Sequence, residues 1–174
     1  NFVIGLDGRA SFRELKGRAD GQTVSRSSED HWLMDFLRAH HDVQLIGAST
    51  LREELNPEGR GWDYGIEDEE LRRYRQDVLG FGRQKVLILS GTGEIDVTLR
   101  IFSSPRVEPW IVTAREGHKR LSSQLKRLGR EGTIKILTIG EGTRIDLLMA
   151  VQLLRKEYGI RTLLCEGGPT TYGE

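Results

Sequence analysis

The stretch TIKILTIGEGTRIDLLMAVQLLRKEYGIRTLLCEGG, residues 133–168, decides the fold class. Its apolar pattern predicts a strand over Thr133–Ile139, a helix from about Arg144 to Tyr158, and a second strand over Thr162–Cys165. Gly159 stands directly after the helix, at the position where a left-handed cap commonly ends one. Strand, helix and strand in this order are typical of parallel pairing in an α/β sheet.

The preceding part of the chain continues this alternation. Further strands are predicted over Val43–Ile46, Lys85–Leu89 and Trp110–Thr113. A helix is expected to begin at Ser27–Asp30, where a serine precedes an acid by three positions. Others are predicted over 65–78 and 118–128. The chain is therefore expected to form one α/β domain, residues 1–174, with helices on both faces of the sheet.

The helices differ in their predicted burial. Two of them have apolar stripes at helical spacing, Trp32, Leu33, Phe36 and Leu37 in the first, and Leu147, Val151, Leu154 and Tyr158 in the last. Residues 65–78, GIEDEELRRYRQDV, are instead highly charged. The pairs Asp68/Arg72 and Glu69/Arg73 have the favourable i,i+4 order, so this helix is expected to be exposed and solvated.

Composition excludes several classes of protein. Lys plus Arg equals Asp plus Glu, 26 of each, so no overall positive field favours nucleic acid or anionic membranes. Cys165 is the only cysteine, which excludes an internal disulfide and a multi-cysteine zinc site, and its apolar surroundings favour a buried, unreactive thiol. No run approaches the ~20 apolar residues of a membrane span, so a cytoplasmic location is expected.

Two segments follow the same design, in which a strand leads into small residues. They are VQLIGASTLREE, residues 43–54, and TLLCEGGPTTYG, residues 162–173. In open α/β sheets, ligands bind beyond the carboxyl ends of the strands. Glycines there allow backbone N–H groups to approach a phosphate, although each segment could also be an ordinary turn. Neither segment contains a Walker or G-x-G-x-x-G motif.

Glu166 lies at the end of the last predicted strand, on the face opposite Cys165. Its carboxylate is either a solvated strand-end group or an acceptor for substrate hydroxyl and ring N–H groups. No metal site is expected, because the adjacent side chains of His40 and His41 diverge and no H-E-x-x-H motif occurs. A serine-type catalytic triad also has no support, because no G-x-S-x-G elbow is present.

Three segments in order, GLDGR (5–9), FLRAHHDVQLIGASTLREELNP (36–57) and LLCEGGPT (163–170), resemble the riboflavin-biosynthesis reductase family. This is the RibD C-terminal domain, whose fold is that of dihydrofolate reductase. The resemblance implies a three-layer αβα fold with a mostly parallel, mixed central sheet. Residues 59–82 match no part of the family pattern and are interpreted as an insertion. The chain begins inside an apolar stretch and relatives continue beyond the Gly-Gly-Pro turn, so it is expected to be incomplete at both ends.

The resemblance also implies NADPH as the cofactor and a set of residues that bind it. The backbone around Val3 would lie against the cofactor, Thr50 would hydrogen-bond it, and Glu54 falls near a cofactor-contacting acid. Ser90 would lie near the adenosine, and the phosphates would be held by Gly167, Gly168, Pro169, Thr170 and Gly173. On the substrate side the match points to Arg38 and Glu166. The guanidinium of Arg38 is interpreted as a partner for the substrate phosphate, or as a cation at a helix C-terminus.

The implied reaction reduces the ribosyl group of a 5-amino-6-(5-phosphoribosylamino)pyrimidine to ribityl. Such an enzyme aligns donor and acceptor carbons and needs no nucleophile, and none is assigned. Two alternatives remain open, a related reductase of a pterin-like or other heterocycle and a non-catalytic nucleotide-binding module. The first is motivated by the altered stretch Glu53–Pro57. It belongs to the run Arg52–Pro57, which is one residue longer than in the family and helps to shape the substrate pocket. A homodimer is expected, as in relatives.

Overall fold

The computed structural model describes residues 27–53 and 59–167. Their five strands form one sheet in the order β4-β3-β2-β1-β5, and every pairing is parallel. The strands are β1 (Val43–Gly47), β2 (Gln84–Leu89), β3 (Val107–Thr113), β4 (Lys135–Thr138) and β5 (Leu163–Cys165). The predicted α/β class and the dominance of parallel pairing are therefore confirmed.

The helices are α1 (Ser28–His40), α2 (Ala48–Glu53), α3 (Glu69–Asp77), α4 (Arg115–Arg127) and α5 (Leu147–Tyr158). A 3-10 turn covers Arg100–Phe102. The predicted start of α1 is confirmed, because Ser27 is the N-cap and its hydroxyl accepts the N–H of Asp30. Gly159 ends α5 in the left-handed region, with φ of 66°.

Two apolar clusters cover the two faces of the sheet. Leu121 and Leu125 of α4 pack in the first cluster, with Ile88 and Ile111. Ala150 and Leu154 of α5 belong to the second, with Leu87 and Trp110, and the half-buried Cys165 packs against it. Because successive strand residues point to opposite faces, helices lie on both sides of the sheet. This is the three-layer αβα arrangement of the dihydrofolate reductase fold.

The predicted helix stripes are partly wrong. In α1, Trp32 and Leu33 are about half exposed, whereas Asp35 and Ala39 are buried. In α5, Val151 is exposed and Ala150 takes its place on the buried face. The reason in α1 is chemical: the carboxylate of Asp35 accepts backbone N–H groups of a neighbouring segment, which removes the usual penalty for burying it.

The prediction that the helix over residues 65–78 is solvated is wrong for Arg75, which is only 3% exposed. The pairing expected on this helix holds for Glu69 and Arg73. Arg72 instead donates to the carbonyl of Ile66, while Asp68 caps α3 by accepting the N–H of Leu71. Charge periodicity predicted the helix, but it could not identify an arginine whose three guanidinium nitrogens each contact a backbone carbonyl.

A buried carboxylate joins the start of the 59–82 segment to the amino end of β3. Asp63, with a side chain 4% exposed, accepts from Ser104 Oγ at 2.6 Å, Arg106 Nη2 at 2.6 Å and Gly65 N–H at 3.1 Å. Burial would raise the pKa of Asp63, but these hydrogen bonds and the charge of Arg106 outweigh it and lower the pKa below its ordinary value.

We expect Asp63→Asn to lower the free energy of unfolding at neutral pH by about 2 kcal/mol. A depressed carboxyl pKa contributes stability above the unfolded value, about 3.9, and that stability is lost as the pH falls through the folded pKa. Urea unfolding at a series of pH values below 7 should therefore show that the free energy of unfolding depends less on pH in the variant than in the original protein. Parallel profiles for the two proteins would contradict this assignment.

Within residues 27–53 and 59–167, no helix combines the length and the apolar composition that crossing a bilayer requires.

Candidate functional site

The carboxyl edge of the sheet contains a topological switch point between β1 and β5. From β1 the chain runs to β2 on one side, while β5 pairs with β1 on the other. Leu45 is in register with Cys165, and the N–H of Glu166 donates to the carbonyl of Leu45 at 2.9 Å. The two small-residue segments identified in the sequence therefore leave neighbouring strands at the position where α/β sheets bind ligands.

Arg38 and Glu166 form a bidentate ion pair at this edge. Arg38 Nε donates to Glu166 Oε1 at 3.0 Å, and Nη2 donates to Oε2 at 2.7 Å. The side chains are 16% and 10% exposed. The sequence pointed to both residues as substrate-facing groups, and the structure brings them together across 128 positions of the chain. Two parallel N–H···O bonds fix the orientation of a carboxylate as well as its charge.

Asp35 adds a second carboxylate to the pair, with its Oδ1 3.5 Å from Arg38 Nη1. Burial would lower the pKa of Arg38, but the hydrogen bond to Glu166 and the charges of Glu166 and Asp35 raise it above its ordinary value. The described groups in contact with this guanidinium thus carry two negative charges against one positive. The cluster is better suited to accepting hydrogen bonds than to attracting a phosphate.

The other predicted site residues lie around the same edge where they are described. Thr50 is half-buried in α2, directly after β1, and Gly167 is buried directly after Glu166. Ser90 is buried after β2, the other neighbour of β1, and its N–H donates to the carbonyl of Val112. Six predicted cofactor residues fall outside the described residues, namely Val3, Glu54, Gly168, Pro169, Thr170 and Gly173.

Sequence patterns missed the glycines that bring the loops of this edge together. A Cβ on Gly117 would lie 2.6 Å from the carbonyl oxygen of Gly91 and 2.7 Å from the nitrogen of Gly93. The loop after β2 therefore packs directly against the first turn of α4. Asp35 was missed as well, because a single acid in an amphipathic helix resembles a surface residue. Its position three residues before Arg38 was the available signal.

Among the described residues, no group of three or more histidine, cysteine, aspartate or glutamate side chains is arranged to hold a metal ion. His40, at the end of α1, and His41, in the following turn, contact backbone carbonyls instead. His40 Nδ1 lies 2.7 Å from the carbonyl oxygen of Phe36, and His41 Nδ1 lies 2.6 Å from that of Leu37. Each ring is thus directed toward its own helix.

A parallel sheet between two layers of helices, with a polar pair at its switch point, defines an α/β domain of the dihydrofolate-reductase-like class. The model of one family, the RibD C-terminal domain, matches residues 1–174, so the chain belongs to that family. This is a family of reductases of riboflavin biosynthesis, and the chain is accordingly an oxidoreductase. No curated protein matches the sequence significantly.

Proposed function

We propose that the protein is an NADPH-dependent reductase of riboflavin biosynthesis that converts the ribosyl group of a 5-amino-6-(5-phosphoribosylamino)pyrimidine to ribityl. The observation that carries the proposal is the Arg38–Glu166 pair beside the β1–β5 switch point. Family membership supports the reaction class. The enzyme is proposed to act in the cytoplasm as a homodimer.

In this proposal Glu166 is the acceptor that orients the substrate. Its carboxylate is held by two donors of Arg38, so its position is set before substrate binds. A fixed carboxylate can accept hydrogen bonds from sugar hydroxyls or from ring N–H groups of a pyrimidine. Preorganisation of this kind raises the rate by reducing the freedom lost when the substrate is aligned.

The residues around the switch point have the donor chemistry that a dinucleotide requires. Thr50 offers a hydroxyl, and Gly167 leaves its backbone unobstructed by a side chain at the adjacent strand end. These would hold the cofactor, together with the proposed contacts from Ser90 and from the residues that follow Gly167. Bound NADPH would supply the hydride that reduces the sugar C1.

A second candidate is a reductase of a pterin-like or other heterocycle that bears no phosphate. The charge of the Arg38 cluster favours it, since Asp35 and Glu166 together outweigh the single guanidinium. Under this alternative Glu166 would accept ring N–H groups, and no group near Arg38 would bind a phosphate.

The test is a turnover assay with the purified protein and NADPH. We expect the phosphoribosylamino-pyrimidine to cause loss of the reduced nicotinamide absorbance and to yield a ribityl product heavier by two hydrogen atoms. The same pyrimidine without its phosphate and a dihydropterin serve as comparison substrates. Turnover of the dihydropterin alone would favour the second candidate, and NADPH binding without any turnover would favour a non-catalytic nucleotide-binding module.

A further inference from the structure

Arg75 is a buried arginine in α3, within the 59–82 segment. Its guanidinium donates to five backbone carbonyls, through Nη1 to His41 at 2.7 Å, Ala39 at 3.0 Å and Arg38 at 3.2 Å, through Nε to Gly82 at 3.1 Å, and through Nη2 to Asp42 at 3.5 Å. The ring of Phe81 lies 4.8 Å from its central carbon.

Four of these carbonyls, all except that of Gly82, belong to the C-terminal end of α1 and the turn into β1. The last four carbonyls of a helix lack intrahelical partners, and a cation near them is favoured by the helix dipole. Arg75 satisfies two of them, including the carbonyl of Arg38 itself. Burial lowers the pKa of Arg75 and the charge of Asp42 opposes this shift. A buried guanidinium is tolerated when its donors are satisfied in this way.

The contact between α1 and the 59–82 segment runs in both directions. Asp35 of α1 accepts the N–H groups of Glu67 and Asp68 at 2.8 and 2.9 Å, directly before α3. The same carboxylate faces Arg38 through its other oxygen. The start of α3 is therefore bound by α1, while the end of α1 is bound by α3. Arg38 lies between these two attachments.

Asp42 extends this network to the strand that leads to Glu166. Its carboxylate accepts the N–H groups of Arg161 and Thr162 at 2.6 and 2.8 Å, and its own N–H donates to Thr162 Oγ1 at 2.9 Å. Thr162 directly precedes β5. One set of contacts thus connects Arg75 with the backbones that present Arg38 and Glu166.

We propose that Arg75 is a positioning residue, which holds the C-terminal end of α1 so that Arg38 stays in bidentate contact with Glu166. The role of this contact in orienting substrate rests on the proposed function. The 59–82 segment is then part of the substrate site by way of α1.

The test uses the Nε–H resonance of Arg38 in the nitrogen-labelled protein, identified by its loss in Arg38→Lys. Solvent exchange of this proton reports the bond to Glu166 and needs neither substrate nor NADPH. We expect Arg75→Met to speed this exchange by about tenfold or more, because local opening becomes easier. Arg75→Lys, which keeps the charge but cannot reach several carbonyls together, should give an intermediate rate.

The matched control is Arg73→Met, on the same helix but with a side chain 71% exposed, and it should leave the exchange rate unchanged. In the turnover assay, loss of positioning should raise KM for the pyrimidine, whereas a merely structural role would reduce only the amount of active protein. An unchanged exchange rate in a folded Arg75 variant would overturn the proposal, as would failure of both variants to fold. Altered exchange in a protein that lacks the reductase activity would overturn only the proposed function.

Discussion

Removing either partner of the Arg38–Glu166 pair is expected to lower the free energy of unfolding by about 3 kcal/mol or more, and the two losses should not add. Arg38→Met leaves the Glu166 carboxylate 10% exposed and without its two donors. Glu166→Leu leaves the guanidinium with Asp35 as its one carboxylate partner among the described residues. The double variant should be more stable than the sum of the single losses predicts by about 2 kcal/mol, since it contains no unpaired member of the pair.

The original protein, the two single variants and the double variant form a double-mutant cycle. Their free energies of unfolding in urea give the coupling energy of the pair directly. The control cycle uses Glu69→Leu and Arg73→Met, an ion pair of the same type whose side chains are 64% and 71% exposed. Exposed pairs on a helix couple by only about 0.5 kcal/mol, because water screens them and both side chains lose freedom. Equal coupling energies in the two cycles would mean that burial does not strengthen the Arg38–Glu166 contact.

A single methyl group at Gly117 is expected to destabilise the protein by about 3 kcal/mol. The added Cβ would meet the Thr113 hydroxyl and the backbone of Gly91 and Gly93. Backbone atoms cannot rotate away as a flexible side chain can, so the loop after β2 would have to separate from α4. Ser90, directly before Gly91 and predicted to lie near the adenosine, would move with that loop.

Thermal or urea unfolding of Gly117→Ala measures this effect. Gly82→Ala is the control, because a Cβ there meets no atom within 4 Å and Gly82 has no positive φ. Its effect should stay within about 0.5 kcal/mol. If Gly117→Ala matched this control, the close packing between α4 and the loop after β2 would not exist as described.

Local patterns predicted the elements well where the information lies within a few residues. Ser27 and Asp30 predicted the start of α1, and Gly159 predicted the end of α5, because caps are made by neighbours in the chain. The strand predicted over Thr133–Ile139 is shorter, Lys135–Thr138, since the N–H of Thr133 belongs to a turn and donates to Arg130. An apolar run marks a strand but does not mark where pairing stops.

The sequence predicted the candidate site as a set of residues but not as an arrangement. Arg38 and Glu166 followed from the family resemblance, each with a separate role toward substrate. Their mutual ion pair did not, and neither did the second carboxylate of Asp35, which changes the charge that a ligand would meet. Arg75 was interpreted as solvated because helical periodicity classifies an arginine by its charge, whereas its burial depends on carbonyls more than thirty positions away.

The sequence by itself determined the α/β alternation, the helix caps and the family, because each is encoded in short segments and in their order. Only the tertiary structure decided that β5 pairs with β1, that Arg38 contacts Glu166, and that Arg75 donates hydrogen bonds to the last carbonyls of α1. The physical reason is that parallel pairing and buried polar contacts join groups far apart in the chain. Whether such groups come into contact depends on the packing of the whole domain, which a local sequence pattern does not predict.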